Sequence, residues 1–149
     1  MLDIVAVSPN KMPMHLLLEA DPAEGSIRKY LDTSLCYLAL KSDVPVGVCV
    51  LGHTDDATLE LYNIAVCPSV QNHGIGTELL SHVIEEARSE GVGSIELGTG
   101  TFGYQLAFYQ RVGFRVEAVI KNYFVDNYDE PIFESGIQLR DMLRLVLLL

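Results

Sequence analysis

Between Val66 and Thr77 a strand-like run gives way to Cys67-Pro68-Ser69-Val70-Gln71-Asn72-His73-Gly74-Ile75-Gly76-Thr77, and a strongly amphipathic helix follows. The first N–H groups of a helix have no intrahelical partner, and the helix dipole adds partial positive charge there. Gly74 and Gly76 leave that backbone bare, so an anion such as a pyrophosphate can approach it. Two other phosphate loops do not fit. A P-loop needs Lys and then Ser or Thr after its glycines, where this chain has Thr77-Glu78. A dinucleotide fingerprint needs a third small residue where Leu79 stands, and it sits by the first strand. A tight turn that holds no ligand is the alternative that glycines alone leave open.

The elements around this loop follow from hydrophobic period. Leu2 to Val7 predicts a first strand, and Asn10 to Ala20 has helical spacing, with Met14, Leu17 and Leu18 on one face. Asp21-Pro22 breaks that helix, and a second short one fits Ile27 to Leu31. Strands at Leu35 to Leu40 and Pro45 to Leu51 flank a turn at Lys41-Ser42-Asp43-Val44. Thr58 to Val66 alternates as a strand (Leu59, Leu61, then Ile64, Val66) but slips by one residue near Tyr62-Asn63, as a β-bulge does to a pattern of period two. Gly76 or Thr77 opens the main helix; Leu79, Leu80, Val83, Ile84 and Ala87 form its apolar stripe, and Gly91 and Gly93 stop it. Ser94 to Leu97 reads as a strand, Gly98-Thr99-Gly100-Thr101 as a loop, and Tyr104 to Val112 as a helix ended by Gly113. Phe114, Val116, Ala118 and Ile120 alternate as a strand. A loop covers Asn122 to Ser135, and Gly136 to Leu149 supplies a final strand or strand pair. The order β-α-α-β-β-β-α-β-α-β-β predicts a mixed α/β sheet in a single domain spanning residues 1–149.

Composition sets outer bounds. At 149 residues the chain is long enough to bury a core without disulfides or a structural metal. Ten basic against twenty acidic residues give a net charge of −10, which offers no basic stripe for nucleic acid. The acidic surface suits cationic small molecules, or simply maintains solubility. The start lacks the basic region of a signal peptide, and the apolar run Leu145 to Leu149 is too short to span a bilayer, so a cytoplasmic protein with no membrane partner is expected. Cys36, Cys49 and Cys67 lack metal-type spacing and read as buried thiols. His53 and His73 are candidate site residues, whereas His15 and His82 read as helix-surface positions. No metal site is expected.

The loop resembles the coenzyme A loop of the GNAT superfamily of N-acetyltransferases, Gln/Arg-x-x-Gly-x-Gly/Ala at a strand-to-helix junction, which Gln71, Gly74 and Gly76 match. Ala107-Phe108-Tyr109-Gln110-Arg111-Val112-Gly113-Phe114 is similar to that family's helix ending in Tyr-x-x-x-Gly-Phe. The spacing and element order agree over nearly the full chain. The resemblance implies a mostly antiparallel twisted sheet of about seven strands flanked by about four helices. It also implies acetyl-CoA as the acetyl donor and an amine as the acceptor.

Acetyl transfer from a thioester to an amine needs a neutral amine, although alkyl ammonium groups have a pKa of about 10. It also needs a donor for the carbonyl oxygen and an acid for the departing thiolate. The resemblance makes Tyr109 the acid; on its helix face, shared with Leu106 and Val112, it also reads as a core aromatic. It sets the acetyl carbonyl near the N–H of Ile64 and pairs the pantetheine arm with Ala65 and Val66. Backbone groups of Asn72, His73, Gly74, Ile75, Gly76 and Thr77 then take the pyrophosphate, with the side chain of Gln71 or Thr77 assisting. Glu60 is the leading base, acting through water. Its neighbours Leu59 and Leu61 are apolar, so it points to the opposite face; an exposed carboxylate is the alternative. His53, in the turn before that strand, is the weaker candidate. Many relatives have an asparagine shortly before the tyrosine. Here the region is Thr101-Phe102-Gly103-Tyr104, and Thr99 or Thr101 would have to take that place.

For the acceptor, Tyr123, Tyr128, Asp129 and Glu130 stand in a loop that interleaves aromatics with carboxylates, suited to a polyamine or aminosugar through cation–π and ion-pair contacts. A surface loop packing its own aromatics is the alternative. Three other readings are a protein or peptide N-acetyltransferase, a non-catalytic acetyl-CoA-binding module, and a homodimer paired through the apolar strand Leu143 to Leu149. Burial of that strand within the monomer is favoured over the dimer.

Overall fold

The computed structural model describes residues 2–149. The chain forms two compact units: the first runs to Gly93 and takes in Leu149, and the second is Ser94–Leu148. The class is the expected mixed α/β, with seven main strands, four in the first unit and three in the second, and all the pairings within each unit antiparallel. No helix among the described residues is long and apolar enough to cross a membrane.

In the first unit β1 (Leu2–Val7), β2 (Leu35–Lys41), β3 (Val44–Asp55) and β4 (Thr58–Val66) lie side by side in that order. Ser42 and Asp43, both at positive φ (50° and 64°), make a two-residue hairpin between β2 and β3, a backbone hand that matches the right-handed twist of the strands. β3 runs four residues beyond the predicted Leu51, so His53 stands on the strand rather than in the following turn. Asp55 Oδ1 closes that turn by accepting the N–H of Ala57 at 2.8 Å.

Two layers of helix cover this sheet. On one face α1 (Met14–Ala20) and α2 (Glu24–Leu31) bury Leu16, Leu17, Ile27 and Leu31 against Cys36, Leu38, Val48, Val50 and Ala65. α1 starts later than its apolar spacing predicts. Pro9–Lys11 forms a separate 3-10 turn, and Pro13 precedes the first helical residue, a place where its missing N–H costs nothing. On the opposite face α3 (Ile75–Ser89) lays Leu79 against Gly47, where an added Cβ would lie 3.4 Å from Leu79 Cδ2. Gly91, at φ 82°, ends α3. The N–H of Val92 reaches the carbonyl of Ala87 and that of Gly91 the carbonyl of Arg88, the paired bonds of a Schellman stop.

In the second unit β9 (Met142–Leu148) lies between β5 (Ser94–Gly100) and β6 (Arg115–Ile120), antiparallel to both. The C-terminal run therefore has both edges occupied within the chain. β5 continues through Gly98, Thr99 and Gly100, read from sequence as a loop. Glycine is needed there because a Cβ at Gly98 would fall 2.2 Å from Met142 Sδ on the neighbouring strand. α4 (Tyr104–Val112) stops at Gly113, φ 123°. The predicted loop 122–135 holds a one-turn helix, α5 (Tyr123–Asp126), and β7 (Phe133–Glu134), which pairs with β8 (Ile137–Gln138) across Ser135-Gly136.

The α1/α2 layer is the stability-critical packing of the first unit. Ile27 is fully buried and Leu18 on the adjacent helix is 36% exposed. Ile27→Ala should cost about 2–5 kcal/mol, and Leu18→Ala no more than about 0.5 kcal/mol, compared as shifts in urea midpoint at constant m.

Candidate functional site

The predicted anion loop is built by the end of β4 and the start of α3. Cys67 N–H donates to Val46 O at 2.8 Å, fixing the alternation of the strand. Peptide groups of Ala65 therefore face β3, opposite Val48, while those of Ile64 and Val66 turn away from it. Ala65 thus spends its own peptide groups on β3. Gln71 folds back so that its Nε2 donates to Val66 O at 3.0 Å, which commits part of that side chain to tying the loop to the strand end.

Pro68–Val70 forms a 3-10 turn, and Asn72 (φ 65°) and Gly74 (φ 81°) both adopt left-handed backbone. A Cβ at Gly74 would meet nothing within 4 Å, so the backbone angle, not space, calls for glycine there. Gly74 is the residue before the helix, which starts at Ile75 rather than at Gly76 or Thr77. Gly74, in the cap position, has no side chain to cap this start. The first intrahelical bond from within the turn is Glu78 N–H to Gly74 O, 3.0 Å. Ile75 is buried and pins the turn, Gly76 is half-buried, and Asn72, His73 and Thr77 are exposed. The N–H groups of Ile75, Gly76 and Thr77 thus lie ahead of the helical ladder at the positive end of a fifteen-residue helix, the arrangement that binds anions.

One strand back lies the predicted bulge. Val50 pairs with Asn63 and Leu51 with Leu61, so Tyr62 is the extra residue. Leu59 and Leu61 are buried, and Glu60 is half-buried opposite Gly52, on the face that carries α1 and α2. Asn63, 3% exposed, sends Nδ2 to Leu17 O at 2.9 Å and to the Tyr30 hydroxyl at 3.1 Å. Its Oδ1 is buried and has no hydrogen-bond partner among the described residues. Tyr62 stacks on Tyr30 with ring centroids 4.8 Å apart and planes within 16°. Burial, and then the charge of Glu60, push the Tyr62 phenol above its ordinary range. Of these residues only Glu60 was singled out from sequence. The alternation slip pointed to Tyr62 and Asn63 as a backbone feature, and nothing pointed to Tyr30.

In the second unit Tyr109 is 9% exposed on α4, its ring edge-on to Phe114 (5.8 Å) and tilted to Phe108 (5.3 Å). Its carbonyl accepts the N–H groups of Gly113 and Phe114, so the glycine stop also fixes the last turn beneath the ring. Tyr123 stands on α5 against Phe124 (5.3 Å), which meets Tyr128 at 6.0 Å, and Asp129 and Glu130 are exposed. Asp141 anchors this segment. Its carboxylate accepts the N–H of Asn122 at 2.9 Å and pairs with Lys121 at 3.0 Å, which together hold it below the usual carboxylate range.

His53 is exposed, with Nδ1 3.2 Å from Asp55 O. His82, on α3, is half-buried with its ring edge-on to Tyr37. Among the described residues no group of three or more His, Cys, Asp or Glu could hold a metal ion. The thiols do not all behave as expected. Cys36 and Cys49 are buried, and burial pushes Cys36 up to about 11 and raises Cys49 too. Cys67 instead is only half-buried at the mouth of the loop, because the chain leaves the sheet there.

The profile of the acetyltransferase (GNAT) family matches residues 9–114, from the 3-10 turn before α1 through β4, the Gly74 turn and Tyr109 to Phe114. The chain belongs to the GNAT acetyltransferase family. An uncharacterised N-acetyltransferase of Bacillus subtilis, YvbK, is 46% identical over 133 residues, 89% of this GNAT chain and 86% of that protein. Among solved structures, an IAA acetyltransferase from Bacillus cereus superimposes with TM-score 0.94 at 41% identity over 100% of both chains. A GNAT family acetyltransferase from Elizabethkingia anophelis, crystallised with acetyl-CoA bound, gives TM-score 0.94 at 40% identity, covering 99% of this chain and 98% of that one.

The loop thiol gives this GNAT chain a local probe. The Ser69 hydroxyl, 3.3 Å from Cys67 Sγ, holds that thiol below the ordinary range. Because the thiolate is the reactive form, iodoacetamide labelling of Cys67 should begin at lower pH than that of a free thiol. Ser69→Ala should move the onset to higher pH, with Cys36 and Cys49 unlabelled in the native protein, as read by mass spectrometry.

Proposed function

We propose that this chain moves the acetyl group of acetyl-CoA directly to an amine of a small cationic molecule. The observation that carries the reading is the uncapped start of α3, where a left-handed Gly74 leaves three peptide N–H groups ahead of the helical ladder. Family membership supplies acetyl transfer, and the Elizabethkingia relative was crystallised with the same donor.

On this reading the main chain of residues 72–77 holds the pyrophosphate, a contact that uses helix-start charge and needs no lysine. Ile64, whose peptide turns away from β3, offers its N–H to the acetyl carbonyl as negative charge develops there. Val66 receives the pantetheine arm. Glu60 takes the proton of the arriving ammonium through water, and Tyr109 returns a proton to the thiolate. A cationic acceptor is the choice that the formal net charge of −10 supports, through long-range attraction. In the same reading Tyr123, Tyr128, Asp129 and Glu130 contribute contacts to it.

A panel of alkyl amines, aminosugars and peptides, assayed with acetyl-CoA by mass spectrometry of the acetylated product, tests the proposal. Transfer to small cationic amines is expected. Transfer confined to peptide N-termini overturns the acceptor class, and no transfer to any amine overturns the enzyme reading. With an active acceptor, Tyr109→Phe should lower kcat by about 100-fold or more while the KM for acetyl-CoA stays within about threefold. Glu60→Gln should remove the acidic limb of the rate profile. An unaltered profile would take Glu60 out of the mechanism.

A further inference from the structure

Three features of the first unit converge beside Glu60. The bulge places Tyr62 as an extra residue on β4, and its ring stacks on Tyr30 of α2. The strand opposite Glu60 has Gly52, where a Cβ would lie 2.8 Å from Tyr62 Cε2 and 3.5 Å from its hydroxyl. A side chain at that position would therefore strike the edge of the ring. Tyr30 is held from two sides: its hydroxyl accepts from Asn63 Nδ2 at 3.1 Å, and its carbonyl accepts from the Ser34 hydroxyl. The pair is thus fixed by a hydrogen bond, a missing Cβ and a backbone bulge. Even so, Tyr62 remains 37% exposed.

A stacked, anchored aromatic pair, one ring of it exposed, with a carboxylate at its margin has a recognisable chemistry. The faces of tyrosine rings carry negative quadrupole density and attract alkylammonium groups, and the nearby carboxylate adds attraction of the same sign. Burial, and then the Glu60 charge, hold the Tyr62 phenol above its ordinary range. Exposed aromatics held in one rotamer lose little entropy when a ligand arrives.

We propose that Tyr62 and Tyr30, with Glu60 at their edge and Gly52 as the clearance beneath, form the seat for the cationic head of the acceptor. The inference deepens the function proposed above and rests on it. It assigns amine selection to the β4 bulge and α2. The acceptor class is a compact alkylammonium, with one charged head small enough to lie against a ring face.

The chain has seven tyrosines and no tryptophan, so ring-labelled tyrosine NMR on the full chain can be read residue by residue, with assignments from single Tyr→Phe variants. The probes are choline, a quaternary ammonium, and 3,3-dimethylbutan-1-ol, its uncharged isostere of nearly the same shape. Choline should shift the Tyr30 and Tyr62 signals, and the isostere should shift them far less. With an amine that the wild type acetylates, Tyr62→Leu should raise the amine KM by roughly 3–10-fold, more than it changes kcat or the KM for acetyl-CoA. Tyr62→Phe, which keeps the ring, should recover most of that loss. Equal shifts from both probes, no shift at Tyr30 and Tyr62, or an unmoved amine KM in Tyr62→Leu would overturn the seat. If no amine is turned over, the transferase reading fails by itself, and the two-probe NMR comparison still decides whether the pair recognises a cation.

Discussion

At Tyr62 strand β4 carries one residue more than the stretch of β3 it faces, and side chains that alternate with period two turn that insertion into a change of phase. Before it, Glu60 looks toward α1 and α2; after it, so do Asn63 and Ala65. Without it Asn63 would fall on the same face as Leu61 and lose both its acceptors, Leu17 O and the Tyr30 hydroxyl. The peptide groups of Ile64 and Val66 would also exchange sides with those of Ala65. The phase of β4 therefore decides which peptides face β3, which helix is tethered and which carboxylate lies beside an aromatic pair.

Downstream of the bulge the strand must leave the sheet and become a helix within a few residues. Gln71 ties the exit back to Val66 O, and Asn72 and Gly74 take the left-handed angles that reverse the chain. α3 then starts behind a glycine that has no side chain to lay across its end, and Ile75, buried, holds the first turn in place. The stability of the turn comes from an apolar anchor, so its polar backbone is left to face outward. A buried apolar anchor and an exposed backbone turn thus stand at adjacent positions, Ile75 and Gly74.

Much of this was legible in the chain. The order of strands and helices followed from period and from glycine stops, and the slip near Tyr62-Asn63 marked the bulge because a phase change is visible in the pattern of apolar residues. Glycine was harder to interpret. Gly98 and Gly100 looked like a loop, yet they continue β5, because the reason for glycine at residue 98 is Met142, forty-four residues away on β9. Tyr30 gave no signal either. Its partners Tyr62 and Asn63 are more than thirty residues distant, and helical spacing around it speaks only of Ile27 and Leu31. Contacts set by tertiary register, rather than by neighbours in the chain, are what the pattern of residue types does not carry.

Asn63 Oδ1 is buried with no hydrogen-bond partner among the described residues, a situation that costs about 1–3 kcal/mol. An aliphatic residue there would relieve that penalty and also cut the tether to α1 and α2. The penalty of one buried oxygen and the placement of an aromatic pair are thus set by the same side chain. Engineers who thermostabilise this scaffold by hunting only for buried polar atoms would be drawn to that asparagine, and in replacing it would also release the hydrogen bonds that reach Leu17 O and the Tyr30 hydroxyl.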